Sequence, residues 1–227
     1  MSIRPLVIFI VLVASSLALA ADENWPQFRG PAASGISPTA GPVEWDVKTS
    51  KNVRWKTAVP GLGHSSPIVW GDRVFLTTAV PVEGGDESLK TGLYGDIGSV
   101  NDAAEYRWLV LCFDKSTGKP LWEREAHRGV PKIKRHPKAT HANSTLATDG
   151  KRVVAFFGSE GLHCYDLDGE PLWKKDFGVL DSGYFVAPDA QTVIPGLSVV
   201  TMAAKGPFNL SHIHFAMLEL TRAAARA

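Results

Sequence analysis

The sequence has no excess of charge of either sign. Its 227 residues contain 24 Lys and Arg against 23 Asp and Glu, which gives a formal net charge of +1. A chain this close to neutrality lacks the basic surface with which proteins hold nucleic acid or anionic membranes. With 44% hydrophobic and 21% charged residues, its composition is that of a globular chain. These proportions argue against a nucleic-acid-binding, disordered or fibrous protein.

The apolar run at the N-terminus is too short to span a membrane. Leu6–Val13 is followed by two serines and falls short of the roughly 20 residues that a spanning helix needs. Arg4 precedes the run, and the sequence Ala-Leu-Ala at 18–20 places small residues where a signal peptidase reads them. We therefore expect a cleaved export signal, a periplasmic or secreted mature chain, and no stable membrane insertion after cleavage.

Cysteine is scarce, since the sequence has only Cys112 and Cys164. An exported chain permits a disulfide without requiring one. Both cysteines lie in apolar, strand-like segments, LVLCFD and LHCYD. We expect two buried free thiols.

The informative feature of the sequence is an internal repeat. One copy is GHSSPIVWGDRVFL at residues 63–76, and the other is ANSTLATDGKRVV at residues 142–154. Each has a Ser-led strand, a turn of Gly and Asp, and a β-branched strand. Gly-Asp and Asp-Gly between apolar runs are strong hairpin signals, because these residues tolerate the positive φ of the turn.

A second shared element follows each copy, LVLCFDKSTGKPLW in the first and LHCYDLDGEPLW in the second. In both, a strand ends at an aromatic–Asp pair, turns at Gly and restarts at Pro-Leu-Trp. We interpret Asp114 and Asp166 as turn residues, because Asp can accept bonds from its own backbone across a turn.

The tryptophans set the length of the repeat. The segment around Trp55 resembles the same strand start, so the phase runs Trp55, Trp122, Trp173, and the last interval is about 50 residues, the size of one four-stranded propeller blade. The first interval is longer because residues 82–106 form a turn-rich loop insertion. No convincing helical period lies between the repeats. The predicted class is all-β, a partial β-propeller of four-stranded antiparallel blades with about two complete blades.

Both copies resemble the pyrroloquinoline quinone-type β-propeller repeat. The signature of that repeat is a Ser-Pro-led strand, Gly-Asp, a strand, and then Asp-x-x-Thr-Gly-x-x-x-Trp. FDKSTGKPLW fits the last element fully, whereas YDLDGEPLW is one residue shorter and lacks the Thr. The opening WPQFRGP at 25–31 is similar to the start of large secreted bacterial proteins with this repeat. The resemblance covers residues 24 to about 177.

The chain therefore divides into four parts. Residues 1–20 are the signal peptide, 21–52 an N-terminal extension, and 53–178 the quinoprotein-like propeller repeats. Residues 179–227 form an atypical tail without Trp or the Asp-Gly phase, and we expect it to be truncated or out of frame. A small self-assembling propeller piece is the alternative to a fragment.

Seven histidines invite a metal hypothesis, which their spacing does not favour. His127, His136 and His141 match no close ligand pattern, and no Cys joins them, so a polar strand edge or loop is the preferred interpretation. His212 and His214 would share one face of a strand within the atypical tail. We assign no metal ligand.

A basic run follows the first repeat, and we interpret it as a solvated loop. An acidic partner or nucleic acid is the alternative, but the run has no interleaved aromatic residues and the chain is neutral. Its members are Arg128, Lys132, Lys134, Arg135 and Lys138.

The resemblance implies two possible functions. Some family members use the propeller as a binding surface, including a related outer-membrane assembly lipoprotein, and others are quinone-dependent alcohol or sugar dehydrogenases. Cys112 and Cys164 are not the adjacent pair found against the quinone in many alcohol-oxidising members, and no Asp or Glu lies in a recognisable cofactor motif. We expect a non-catalytic, exported module with protein partners and no cofactor. The alternative is a dehydrogenase fragment, with pyrroloquinoline quinone and calcium.

Overall fold

The structure, a computed structural model, describes residues 24–37, 39–85, 89, 99–100 and 103–180. The predicted signal peptide, His212, His214 and nearly all of the predicted tail lie outside these residues. None of the described residues forms a helix with the length and apolar character that a membrane crossing requires.

Two four-stranded antiparallel sheets form the fold, each with its strands in chain order. The first sheet contains β1 (Ile68–Trp70), β2 (Arg73–Pro81), β3 (Tyr106–Asp114) and β4 (Pro120–Gly129). The second contains β5 (Ala147–Thr148), β6 (Arg152–Phe156), β7 (Leu162–Asp166) and β8 (Pro171–Lys175). Besides these strands the described residues include two short 3₁₀ turns, Pro31–Ala33 and Gly158–Glu160. The prediction of two all-β propeller blades is confirmed.

The two sheets repeat each other residue by residue. Arg73 and Arg152, which occupy equivalent positions in the two sequence copies, are the first residues of β2 and β6. Cys112 pairs with Trp122 and Cys164 with Trp173, and in both sheets the register shifts directly after the cysteine. The repeated sequence therefore encodes a repeated irregularity as well as repeated strands, and each Trp occupies the same place in its blade.

Strand order gives the sheets two distinct ends. Because consecutive strands are antiparallel neighbours, their connections alternate between the ends of the sheet. The short turns β1–β2, β3–β4, β5–β6 and β7–β8 lie at one end, which we call the turn end. The β2–β3 connection, the β4–β5 connection (residues 130–146) and the β6–β7 connection lie at the other, which we call the loop end. The predicted insertion is the β2–β3 connection, since β2 ends at Pro81 and β3 begins at Tyr106.

Three apolar layers follow from the alternation of side chains along the strands. The inner core lies between the sheets and includes Ile68, Phe75, Trp108, Val110, Cys112, Val153, Ala155 and Tyr165. The first outer face, on the far side of the first sheet, consists of Val74, Leu109, Leu111 and Phe113. The second outer face, on the far side of the second sheet, consists of Val154, Phe156, Leu162 and Cys164. Each sheet is apolar on both faces, as a blade between two neighbours requires.

The N-terminal segment does not form the strand that the sequence predicted around Trp55. Trp55 packs instead against the first outer face. Farther upstream, Trp25 forms a two-way backbone pair with Val69 on the free edge of β1, with N···O distances of 2.7 and 2.9 Å. This pairing covers a strand edge that would otherwise be open.

Candidate protein-binding surface at the loop end

The β4–β5 connection is the longest fully described segment at the loop end, and backbone bonds fix it to the first sheet. The carbonyl of Ala142 accepts from the amides of His64 and Ser65 at 2.9 and 3.2 Å. The indole N–H of Trp108, which is fully buried, donates to the carbonyl of His141 at 3.0 Å. The connection is therefore held at the start of β1 and from inside the core.

Within the connection, reciprocal hydrogen bonds between residues close in sequence fix the backbone. The amide and hydroxyl of Thr140 both donate to the Asn143 side-chain oxygen, at 3.0 and 2.9 Å, and the Asn143 side-chain amide donates back to the Thr140 carbonyl at 2.6 Å. Arg135 is only 2% exposed, and its guanidinium donates to the Ala139 carbonyl at 3.1 Å. A buried arginine tied to backbone gives this segment a fixed shape.

The prediction that the basic run is a solvated loop is therefore wrong in part. Arg135 is buried, because its guanidinium serves as an internal bridge of the connection. Arg128 belongs to β4 and forms an ion pair with Glu105 at 2.6 Å. Lys132, Lys134 and Lys138 are exposed, as expected of a solvated loop. The run is not one exposed charged patch, since Arg135 is buried and Arg128 is paired within the first sheet.

Lys132 ties the connection to the β6–β7 connection and to the residue that follows β8. Its backbone amide donates to the Glu160 carboxylate at 2.9 Å, and its ammonium donates to the Ser159 carbonyl at 2.8 Å. The ammonium also reaches the Asp176 carboxylate at 3.3 Å. Burial raises the pKa of the Glu160 carboxyl, and the bond from the Lys132 amide opposes that rise. The connection thus spans the two blades on their loop-end surface.

Two of the histidines predicted as non-ligands, His127 and His141, pack against the ring of Trp108. His127 and His141 both contact Trp108, with ring centroids 5.1 and 5.9 Å apart, and His141 also meets Tyr106 at 4.9 Å. Burial, followed by the charge of Lys132, lowers the pKa of His127. The Nδ1 of His136 accepts from the Lys138 amide at 3.1 Å. The structure brings two of the three histidines together, as packing partners of one indole.

His163 was not singled out from the sequence, although it is buried at the same end. It contacts Phe157 with ring centroids 5.9 Å apart, and its Nε2 lies 3.1 Å from the Glu160 carbonyl. Burial lowers the pKa of His163, and the Glu160 carbonyl opposes that effect. The sequence places His163 next to Cys164 in a predicted strand. That position predicts that Cys164 is buried, and it does not decide whether His163 is buried too.

The metal-ligating side chain types among the described residues are dispersed. In the part of the chain that the structure describes, no three His, Cys, Asp or Glu side chains are grouped so that they could hold a metal ion. Cys112 and Cys164 are buried free thiols in different sheets, as expected. Burial raises the pKa of each thiol to about 12, so neither is poised as a nucleophile.

The comparisons with known proteins agree with the fold. Residues 106–194 match the sequence model of the family described as outer membrane protein assembly factor BamB. The match begins at the first residue of β3 and runs through the whole second sheet, so it includes the second copy of the repeat. No curated protein matches the chain significantly.

Proposed function

The chain is a pyrroloquinoline quinone-type β-propeller repeat protein, and from this premise we propose that it is an exported, non-catalytic module that binds other proteins through its loop end. The observation that carries the proposal is the family match over residues 106–194, because that family is described as an outer membrane protein assembly factor. Propeller loops held on rigid blades suit partner recognition without chemistry of their own.

The loop end supports the proposal through its rigidity. The β4–β5 connection is bonded to the first sheet through the His141 carbonyl, which accepts from Trp108 of β3, and to the β6–β7 connection through Lys132. A surface fixed in this way loses little conformational freedom when a partner binds, so more of the contact energy appears as affinity. Val130 lies at the start of the connection with 55% of its surface exposed, and gives the surface an apolar contact.

The test compares two substitutions at opposite ends of β4. Val130→Glu changes the loop end, and Leu121→Glu changes the turn end at a residue that is 50% exposed. The bait is the purified mature protein, and the prey is an extract of envelope proteins from the source cells, with partners identified by mass spectrometry and confirmed with purified components. We expect Val130→Glu to weaken the affinity for the confirmed partner by about tenfold, and Leu121→Glu to leave that affinity unchanged.

Two results would contradict the proposal. Equal losses in both variants would show that the loop end has no special part. Dye-linked oxidation of alcohols or sugars by the mature protein, after addition of pyrroloquinoline quinone and calcium, would favour the dehydrogenase alternative.

A further inference from the structure

A β-bulge near the loop end turns one histidine of the first sheet inward. Trp108 of β3 lies opposite His127 of β4, and the next residue, Leu109, lies opposite Glu125, so Ala126 is an extra residue in β4. Strict alternation would place Ala126 and His127 on opposite faces of the sheet. The bulge lets both face the inner core, since Ala126 packs against it and the His127 ring lies 5.1 Å from the ring of Trp108.

The second sheet supplies a buried histidine to the same region. His163 of β7 is only 6% exposed, and its Nε2 lies 3.1 Å from the Glu160 carbonyl. Burial is the main cause that lowers the pKa of His163, and the charge of His127 lowers it further. The two imidazoles, one from each sheet, are therefore near enough to affect each other's protonation.

Both histidines adjoin the contacts that Lys132 makes with the β6–β7 connection and with Asp176, which we call the Lys132 bridge. His127 lies in the last turn of chain before β4 ends at Gly129 and the β4–β5 connection begins. Glu160, whose carboxylate accepts from the Lys132 amide, also provides the carbonyl beside His163. The two rings thus lie on the two sides of the bridge.

The charges around the bridge are balanced while both imidazoles are neutral. Two ammonium groups are surrounded by carboxylates, one of which, Glu125, is already paired with Arg107 at 2.6 Å. Protonation of both rings would add two positive charges beside these ammonium groups. Among the described residues, the charged groups around the two imidazoles and the bridge are Lys132 of the β4–β5 connection, Glu125 of β4, Glu160 of the β6–β7 connection, Lys174 of β8 and Asp176 after β8.

The closed bridge favours the neutral form of both rings. Burial, followed by the charge of Lys132, lowers the pKa of His127, as burial does for His163. Each folded pKa lies below the unfolded value of about 6.5, so the contribution of each ring is fully present above that pH and is lost as pH falls through the folded pKa. Glu160 acts in the opposite direction, because burial raises the pKa of its carboxyl. Two histidines beside ammonium groups therefore act against one carboxyl.

We propose that the Lys132 bridge is an acid-sensitive switch, in which His127 and His163 take up protons in mild acid, repel the neighbouring ammonium groups and release the start of the β4–β5 connection. The switch regulates the loop end, and in this respect it rests on the proposed function. A partner that is bound at neutral pH is then released in mild acid, because the surface that it recognises loses its fixed shape.

The experiment measures hydrogen exchange of the Lys132 amide by NMR, in the mature full chain, at about pH 7.5 and about pH 5.5. Rates are converted to protection factors, which removes the effect of pH on the exchange chemistry. We expect the protection factor to fall about tenfold or more, because each titrating histidine contributes up to about tenfold at one pH unit below its unfolded pKa. The Val69 amide, which donates to the Trp25 carbonyl at 2.9 Å, is the reference for global unfolding and should lose less protection.

Substitution of the two histidines assigns the switch. His127→Phe keeps a ring against Trp108, and His163→Gln keeps a donor for the Glu160 carbonyl, while neither replacement titrates. We expect each variant to reduce the fall in protection to about threefold, and the double variant to abolish it. His64→Gln is the matched control, because His64 is an exposed histidine, and it should behave as the wild type does. Circular dichroism checks that each variant keeps its sheets.

Two exchange results would overturn the proposal. One is a double variant whose Lys132 amide loses as much protection in acid as that of the wild type. The other is an equal loss at the Val69 amide, since the whole fold and not the bridge would then open.

The partner confirmed for the loop end provides a second readout. Its affinity for the wild type should fall about tenfold between the two pH values, and its affinity for the double variant should not. Equal falls for both proteins would overturn the regulation and leave the proposed function intact. If no partner binds at the loop end, the proposed function fails, and protection of the Lys132 amide still decides whether the bridge opens in acid.

Discussion

At the scale of single residues, burial shifts the pKa values of two neighbouring groups at the loop end in opposite directions. His163 is buried against Phe157, and burial lowers the pKa of its imidazole, so the neutral ring is the form that fits the fold. Glu160 is affected in the opposite direction, since burial raises the pKa of its carboxyl and favours the protonated acid. These two neighbours therefore respond to acid with opposite signs, and only a comparison between variants separates them.

We expect His163 to make the protein less stable in mild acid. Its folded pKa lies below the unfolded value of about 6.5, so its contribution is fully present above that pH and is lost as pH falls through the folded pKa. Urea unfolding of the wild type and of His163→Gln, at about pH 7.5 and about pH 5.5, measures this contribution. The wild type should lose more unfolding free energy between the two values than the variant does. Glu160 is present in both proteins, and identical losses would show that His163 does not titrate in this way.

At the scale of elements, the β3–β4 and β7–β8 turns both stabilise their hairpins and bind a tryptophan from another segment. Trp55 donates to the Lys115 carbonyl of the first turn, and Trp122 donates to the Leu167 carbonyl of the second. The Asp114 carboxylate accepts from the amides of Ser116 and Thr117 at 3.1 and 2.7 Å. The Thr117 hydroxyl, followed by the Thr117 amide, lowers the pKa of Asp114. The Asp166 carboxylate accepts from the amides of Asp168 and Glu170 at 2.9 and 2.8 Å. These bonds confirm that both aspartates are turn residues, and they leave backbone carbonyls free to face the next blade.

We expect Gly169→Ala to be more destabilising than Gly71→Ala. Both glycines have positive φ, +84° and +57°, so alanine costs about 1–2 kcal/mol of backbone strain at either position. Gly71 has open space for a Cβ, whereas at Gly169 the Cβ would meet Trp122 at 2.7 Å and add about 1–3 kcal/mol of overpacking. Urea denaturation monitored by tryptophan fluorescence gives both values. Equal destabilisation would mean that the Trp122 ring does not lie against the turn.

At the scale of the whole molecule, one core joins the two sheets. The inner core takes residues from both, with Phe75 of the first sheet contacting Trp122 at a centroid distance of 5.8 Å and Trp122 contacting Tyr165 of the second at 6.4 Å. The Lys132 bridge adds polar contacts at the loop end. The blades therefore share their stabilising contacts, and neither loses its fold without exposing the core of the other.

Thiol labelling tests this shared stability. Cys112 lies in the inner core and Cys164 in the second outer face, and burial raises both pKa values to about 12. We expect a disulfide reagent to label both slowly and at one rate in the native protein, because both must wait for the same opening. Cys112→Ala and Cys164→Ala assign the two signals. A much faster reaction at one thiol would show that the blades open independently.

The same reagent checks the register of the repeat. In denaturant without reductant, the protein should show two thiols per chain. Finding none at an unchanged monomer mass would mean that the two cysteines are bonded to each other, and that the equivalent positions of the two sheets are wrongly assigned.

The sequence by itself determined the local structure of this protein. Gly-Asp and Asp-Gly turns, β-branched strands and the Asp-to-Trp element act over a few residues, so they predicted both four-stranded sheets, the turn roles of Asp114 and Asp166, and the buried thiols. Only the tertiary structure decided which distant groups meet. The bridge from Lys132 to Ser159 and Glu160, and the bond from the Trp108 indole to the His141 carbonyl, depend on contacts between segments that lie far apart in the chain. Such contacts leave no local pattern in the sequence. The neighbours of a charged or aromatic residue in the chain do not show whether its side chain faces water, a core or a neighbouring blade.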